Sequence, residues 1–560
     1  MSGRSPENAA TSEPFSHDTR GREVIEYHDG TNPMSIWSAA LGAQKTQRRV
    51  RIIVQDVDSL QCPSPDVAGL DRLDAEYLSR RGAFDFPPAA TIDALLHVYF
   101  ESVHPNAPIL QRAQFISDYE QRTCSPFLLQ SMLANVVPYA SEVLIQYAGY
   151  SDRATAQRSF FLKAKRLYDF GHEKSQLRLL QGCIILSSLS FSYSIEYDFH
   201  FWFNNAVRIA TQMGLHRDST IEVTPDLERT LLRRIWWVLY YRDKSLVISG
   251  LQNLQRIHDS DFDTAPLNVA DFETEDHDSL SHPVLSKSTN IHKLYLVHAC
   301  QIALMISRFL SLLSRGVKEF DLEAAQRLEA DLLHWRTTLP TELRVDIVYE
   351  WSAANVWILV LAGISYRFQS LLYRALTEQY GILNHDLSAL RASLKQEAAM
   401  FELGTILRRI MLHDLIQTCP LSLLTCISTL LALRIEMALK LDSSPNRKLR
   451  LRPQMYEDLE HLEECSRFWT PLKWPVKMFE VVLARNDLTW NPAPSSVRQP
   501  PSDQTMPTSM HTRRFFPHTT GQDNHVSNTH DPFLAFDATF REDRDTESWL
   551  QELLSCGFAV

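Results

Sequence analysis

The run Arg233-Arg234-Ile235-Trp236-Trp237-Val238-Leu239-Tyr240-Tyr241-Arg242-Asp243 constrains this chain more than any other stretch. Leu231, Ile235, Val238 and Leu239 recur at helical spacing and give a core-facing stripe. Upstream, Thr224 is a capping residue, Pro225 suits the first helical position, and Asp226 and Glu228 favour the positive N-terminal end. Gly250 is a stop. The pattern predicts one long buried helix with the double tryptophan at its middle.

The preceding segment is equally periodic. Phe199, Trp202, Phe203, Ala206, Val207, Ala210 and Met213 follow the i, i+3, i+4, i+7 template, and Gly214 ends it. Two apolar helices joined by a short polar link make an αα-hairpin. Further helices are predicted at 159–170, 176–190, 290–313, 321–339, 356–376, 386–409, 419–439, 459–469 and 475–487. Ile92, Leu95, Leu96, Tyr99, Phe100 and Val103 form one more face, which His104-Pro105 terminates. His104 there reads as a packing or capping histidine. No stretch alternates in the manner of a strand, so the fold class is all-α: one large multi-helix domain between a disordered N-terminal segment and a disordered C-terminal tail.

The order Ala206-Val207-Arg208-Ile209-Ala210-Thr211-Gln212-Met213-Gly214-Leu215-His216-Arg217-Asp218, followed by Arg233-Arg234-Ile235-Trp236-Trp237, resembles the middle homology region of fungal zinc-cluster (Zn2Cys6) transcription factors. His104-Pro105-Asn106-Ala107-Pro108-Ile109-Leu110, Gln181-Gly182-Cys183-Ile184-Ile185-Leu186 and Leu332-Leu333-His334-Trp335-Arg336-Thr337-Thr338-Leu339-Pro340 are similar to other phrases of that family. The resemblance implies a core at 86–345, a C-terminal helical part at 346–488, and a nuclear protein that controls RNA polymerase II transcription of a pathway-specific gene set. The partners expected with it are transcription coactivators, read from the tail below, a small-molecule effector, read from the cationic patch below, and a homo- or heterodimer.

The family's zinc cluster needs six thiolates in CxxC-type runs. The eight cysteines here, Cys62, Cys124, Cys183, Cys300, Cys419, Cys426, Cys465 and Cys556, show no such spacing. No cofactor is therefore expected in this chain. DNA binding is direct only if a zinc cluster is missing from the gene model, and otherwise passes through a partner. The net charge of -11 fits that, because the chain has no overall basic footprint. Glycine is scarce, at 17 residues. No phosphate loop, dinucleotide fingerprint, zincin or nucleophile-elbow motif occurs. The expectation is a non-enzyme; the alternative is a non-catalytic helical scaffold with no transcriptional role.

Two flanks carry further candidates. Residues 1–85 are polar and hold a small basic cluster, Lys45, Arg48, Arg49 and Arg51, which reads as a nuclear import signal or a DNA-flanking arm, or as a solvated charge run. Residues 489–530 form a Pro/Ser/Thr-rich linker. In 531–560, Phe533, Phe536, Phe540, Trp549, Leu550 and Leu553 are interleaved with acidic residues, the mark of an activation segment; a C-terminal helix docking on the core reads equally well. The apolar runs at 356–366 and 421–433 read as buried helices, with no membrane partner. Arg233, Arg234, Trp236, Trp237, Arg242 and Asp243 are the candidate regulatory motif: a buried cationic patch for an anionic or aromatic effector, or a structural set of paired, ring-stacked arginines.

Overall fold

The computed structural model describes residues 22–27, 49–54, 70–188, 197–218, 226–275, 282–440, 445–469, 472–486 and 488. All of them belong to one compact unit that ends at Asn491; a second unit, Pro492–Val560, lies outside the described residues. Its helices, in chain order, are α1 (Arg72–Arg80), α2 (Ala89–Val98), α3 (Arg112–Glu120), α4 (Pro126–Val136), α5 (Glu142–Tyr147), α6 (Arg153–Asp169), α7 (Gln176–Leu186), α8 (Phe199–Gln212) and α9 (Asp226–Ile248). The second half continues with α10 (Asn290–Ser314), α11 (Leu322–Thr337), α12 (Val356–Ile382), α13 (Asp386–Leu412), α14 (Leu421–Leu439), α15 (Pro445–Ser466) and α16 (Lys473–Arg485).

The starts of these helices are written in the sequence. Ser125, Ser141, Asp152, Ser175, Asp198, Thr289 and Asp321 each accept a hydrogen bond from the backbone N–H three residues on, which satisfies a donor the helix leaves free. Gly214 and Gly250 stop α8 and α9 with φ of 79° and 72°, a conformation glycine adopts without a Cβ penalty. The helix α9 sits at the centre: Trp236 and Trp237 keep 1% and 2% of their surface exposed, and Tyr240 none. It packs on α10, and α10 on α12; α12 and α13 form an extensive hairpin, and α14 closes against α12, α13 and α15. The all-α expectation holds over residues 70–488, with no strand there among the described residues.

Some expectations need correction. A two-stranded antiparallel sheet, β1 (Arg22–Tyr27) and β2 (Arg49–Val54), stands in the segment expected to lack structure. Neither strand alternates cleanly, since Val24-Ile25 and Ile52-Ile53-Val54 are consecutive apolar residues. What holds β1 is tertiary: the Gln176 amide donates to the Ile25 carbonyl at 3.2 Å and accepts from its N–H at 2.8 Å. Helix α15 starts fourteen residues before the predicted 459, because Pro453 lies inside it rather than ending it. The buried Arg434 of α14 bridges that part of α15, donating to the Gln454 carbonyl at 2.9 Å and to the Asp458 carboxylate at 2.5 Å, and so supplies tertiary contacts where proline removes a local one. Helices α1, α3, α4 and α5 were not predicted; three are nine residues or fewer.

Among the described residues three helices, α10, α12 and α14, are long and apolar enough to cross a membrane. Within this unit 61%, 83% and 61% of their most apolar windows are buried, so most of their apolar surface is covered by protein. Arg367, fully buried in α12, belongs to the same interior.

Two substitutions test this packing. A Cβ on Gly182 would stand 2.2 Å from Cε1 of Phe127. Gly182→Ala is therefore expected to destabilise the protein by about 1–3 kcal/mol despite the better helix propensity of alanine, read from urea unfolding. Trp236→Ala is expected to cost about 3–5 kcal/mol, whereas Trp474→Ala, at a half-exposed position, changes stability by only about 0.5 kcal/mol or less. An unchanged midpoint for the Trp236 variant would place that ring outside the core.

A candidate effector cavity around helix α9

One face of α9 fastens the loop that follows it. Arg233 Nη1 donates to Asp271 at 2.8 Å, and its Nη2 lies 3.7 Å from Asp218. The Trp237 indole N–H donates to the Ala265 carbonyl at 2.8 Å. The Tyr240 hydroxyl donates to Asp259 at 2.6 Å, where Ser307 also donates at 2.9 Å. Asp243, buried completely, accepts from the Lys244 ammonium at 3.0 Å, from the Gln252 amide at 2.8 Å, and from the backbone N–H groups of Arg256 and Ile257 at 3.0 and 3.1 Å. The spacing 233, 237, 240, 243–244 puts all these groups on the side that the 250–271 loop covers.

The opposite side of α9 opens on a cavity of about 120 Å³. Val238, Tyr241, Arg242, Ser245 and Ser249 form its α9 wall. Ser102, Val103 and Asn106 come from the π-helical and 3-10 turns after α2, Asn135 from α4, Ser187 from the end of α7, and Leu421, Ser422 and Thr425 from the start of α14. Tyr139 and Trp469 meet edge to face at 5.7 Å in another part of the wall. Arg242 Nη1 donates to the Ile184 carbonyl and, at 2.7 Å, to the Ser187 hydroxyl. Asn135 takes the next carbonyl, that of Ile185, at 3.0 Å. The two side chains thereby satisfy the C-terminal end of α7, where a cation is favoured.

Arg242 has no carboxylate partner among the described residues. Burial pulls its pKa down from the ordinary value to about 10, with Tyr99, Tyr241 and Tyr139 opposing that pull, so it is charged at neutral pH. Burial in turn pushes the Tyr99 and Tyr139 hydroxyls far up, which keeps them neutral. The Tyr99 hydroxyl is buried without a partner. Behind Ser249 and Thr425 lies a second cation: Arg367 Nη1 donates to their hydroxyls at 3.0 and 2.7 Å, while its Nε and Nη2 are buried without partners.

A larger cavity of about 720 Å³ lies among α11, α12 and α13. Three arginines line it: Arg336 donates to Gln369 and Ser365 at 2.9 and 3.1 Å and lies 4.0 Å over the Tyr366 ring, Arg344 pairs with Asp346 at 2.8 Å, and Arg409 stands in the same wall. Glu402 and Asp346 place carboxylates in the same wall.

On a third side of α9, Arg234 stands 5.6 Å over the Phe272 ring, near His104, Arg112 and His292. His104 is buried against Phe100, with ring centroids 5.2 Å apart. Burial, then Arg112 and Arg234, hold it well below its usual range. His292 is pushed down to about 4 by burial and by Arg112.

The six motif residues thus sit on one helix but serve different surfaces. Arg233 and Asp243 fasten the loop, and Trp237 does so through its indole. Trp236 packs edge to face on Phe262 at 5.5 Å. Arg242 alone of the six lines the cavity, and Arg242 and Asp243, adjacent in sequence, are not partners. Sequence reasoning missed Arg367, Asn106, Asn135 and Ser245; Arg367, directly after the largely apolar stretch 356–366, was the one available signal. In the basic cluster Arg49 and Arg51 lie in β2, paired with Tyr27 and Ile25. Lys45, Arg48 and all six activation candidates, Phe533 to Leu553, lie outside the described residues, as do Thr224 and Pro225. Among the described residues no group of three metal-ligating side chains converges, and six cysteines are buried thiols.

A large all-helical domain is the class these features define. Residues 96–345 match the fungal specific transcription factor domain, a stretch that runs from the end of α2 to the turns before α12. The fusaric acid cluster transcription factor of Fusarium oxysporum is 33% identical over 419 residues, covering 75% of this chain and 62% of the relative. The cutinase transcription factor 1 beta of Fusarium vanettenii is 28% identical over 276 residues, 47% of this chain and 31% of the relative. The acetamidase regulatory protein of Emericella nidulans is 26% identical over 415 residues, 71% and 47% respectively. The chain therefore spans less than two thirds of the length of these relatives. No solved structure matches.

The depressed histidines carry a pH signature. Where a folded-state pKa lies below the unfolded value, the unfolded chain takes up protons first as pH falls. The stability that neutral His292 contributes is present above pH 6.5 and is lost as pH drops toward 4. The expected result is that the wild type loses stability relative to His292→Gln between pH 7 and pH 5, by at most about 1.4 kcal/mol per pH unit. Parallel urea titrations of the two proteins measure it; a constant difference would mean that His292 is not shifted.

Proposed function

We propose that this chain is a fungal-type transcriptional regulator of a pathway-specific gene set, acting in the nucleus on RNA polymerase II transcription, and that it is not an enzyme. The observation that carries the reading is the match to the fungal specific transcription factor domain at 96–345, which contains the buried aromatic-arginine helix, together with similarity to proteins named as transcription factors and a regulatory protein. In this reading the helical body is a regulatory device: it receives an effector or partner and passes the result to a transcription complex. The chain requires no cofactor of its own for that task. DNA is engaged by a zinc cluster belonging to the same protein or by a DNA-bound partner, as a homo- or heterodimer. The acidic-aromatic residues Phe533, Phe536, Phe540, Trp549, Leu550 and Leu553 contact coactivators by folding against an apolar groove.

A fusion of the whole chain to an unrelated DNA-binding domain tests this reading. The expected outcome is reporter activation that is lost when those six residues are replaced by alanine, with the tagged chain in the nucleus. A silent reporter together with a cytoplasmic chain would favour a helical scaffold outside transcription.

A further inference from the structure

We propose that the cavity beside Arg242 is a binding site for a small monocarboxylate with a short apolar or aromatic body. Arg242 spends Nη1 on Ile184 and Ser187. Its other N–H groups make no hydrogen bond among the described residues and are not sealed from the cavity. Arg367, one layer behind, has no carboxylate partner either. Two guanidinium ions held in a protein interior without an anion are costly. The nearest acid in sequence, Asp243, is saturated on the far side of the helix. No aspartate or glutamate lines this cavity among the described residues.

The rest of the wall fits the same ligand. Asn106, Asn135, Ser187, Ser245, Tyr139 and Tyr241 give neutral polar groups around the cationic end. Val103, Val238, Leu246, Leu251, Leu421 and Trp469 supply the apolar part. An arginine fork matches a carboxylate with two parallel hydrogen bonds. An apolar cavity of about 150 Å³ holds one benzene molecule, so about 120 Å³ in a partly open site takes a ligand of roughly that size. A single accessible guanidinium among neutral groups suits one negative charge and not the two of inorganic phosphate.

The idea that this binding regulates transcription rests on the function proposed above; the binding itself does not, and is measured without a reporter. Full-length protein is titrated with benzoate and hexanoate by calorimetry and thermal shift, with benzamide and inorganic phosphate as controls. Expected are a rise in Tm and saturable binding for at least one carboxylate, with little effect of benzamide or phosphate. Arg242→Gln, which keeps a donor for the Ile184 carbonyl, is expected to weaken binding by at least about tenfold. Ser245→Leu leaves Arg242 in place, fills the cavity and is expected to abolish binding; it decides the matter if the Arg242 variant fails to fold. No carboxylate binding, equal binding of benzamide or phosphate, or unchanged affinity in the folded variants would overturn the proposal. Binding that persists beside a silent reporter would count against the transcriptional reading alone.

Discussion

The whole arrangement around α9 depends on one buried carboxylate. Asp243 has no exposed surface and would be costly as an isolated charge. It is compensated by an ammonium, an amide and two backbone N–H groups, all within 3.1 Å. Three of those donors belong to residues 252, 256 and 257, so satisfying the charge requires the chain to turn sharply after Gly250 and fold back over the helix. Lys244 reinforces the same turn by donating to the Ile257 carbonyl as well. Once it is made, Asp259 comes within reach of Tyr240 and Ser307, and the Ala265 carbonyl within reach of Trp237. Removing the carboxylate would leave several buried donors unsatisfied at once.

The residue before it has the opposite fate. Successive helix positions point about 100° apart, so Arg242 cannot follow Asp243 to the loop side. It projects toward the end of α7, where the partial negative charge of carbonyl groups replaces a full counter-charge. The α9 sequence thus separates a neighbouring acid and base into two environments, one saturated and one with spare donors. A cation that caps a helix and also faces a cavity is neither wholly structural nor wholly available. Its capping contacts fix where it stands, and its remaining N–H groups set what the cavity attracts.

Much of the fold is legible in the sequence, for a physical reason. Amphipathic helices and glycine stops announce themselves locally, and the α8 and α9 stripes with Gly214 and Gly250 do so; the caps Asp198, Thr289 and Asp321 are local signals of the same kind. The short helices α1, α3 and α5 span too few turns for a period to emerge. The strand β1 depends on Gln176, about 150 residues away, and Pro453 is carried inside α15 beside contacts from Arg434; neither partner can be inferred from the local pattern. The site was half legible. That α9 is buried followed from its stripe, but which of its arginines meets an acid depends on where the loop returns. The chain alone does not give that, and it could not bring Asn106, Asn135 and Arg367 to one place.

The cavity persists because its wall is drawn from segments that cannot close on one another. The turns after α2, the ends of α4 and α7, one side of α9 and the start of α14 each end in a polar group that already has a task. Ser187 accepts from Arg242, Asn135 caps α7, Asn106 accepts from Tyr295 at 2.8 Å, and Thr425 accepts from Arg367. Collapsing the space would disturb those bonds. Interiors normally pack without such gaps, so this one is maintained by polar contacts rather than by a lack of apolar filler. Whatever occupies it touches segments more than 300 residues apart in sequence at once. By linkage, an occupant that binds only the assembled wall stabilises the docking of α14 onto α9 and the early helices together.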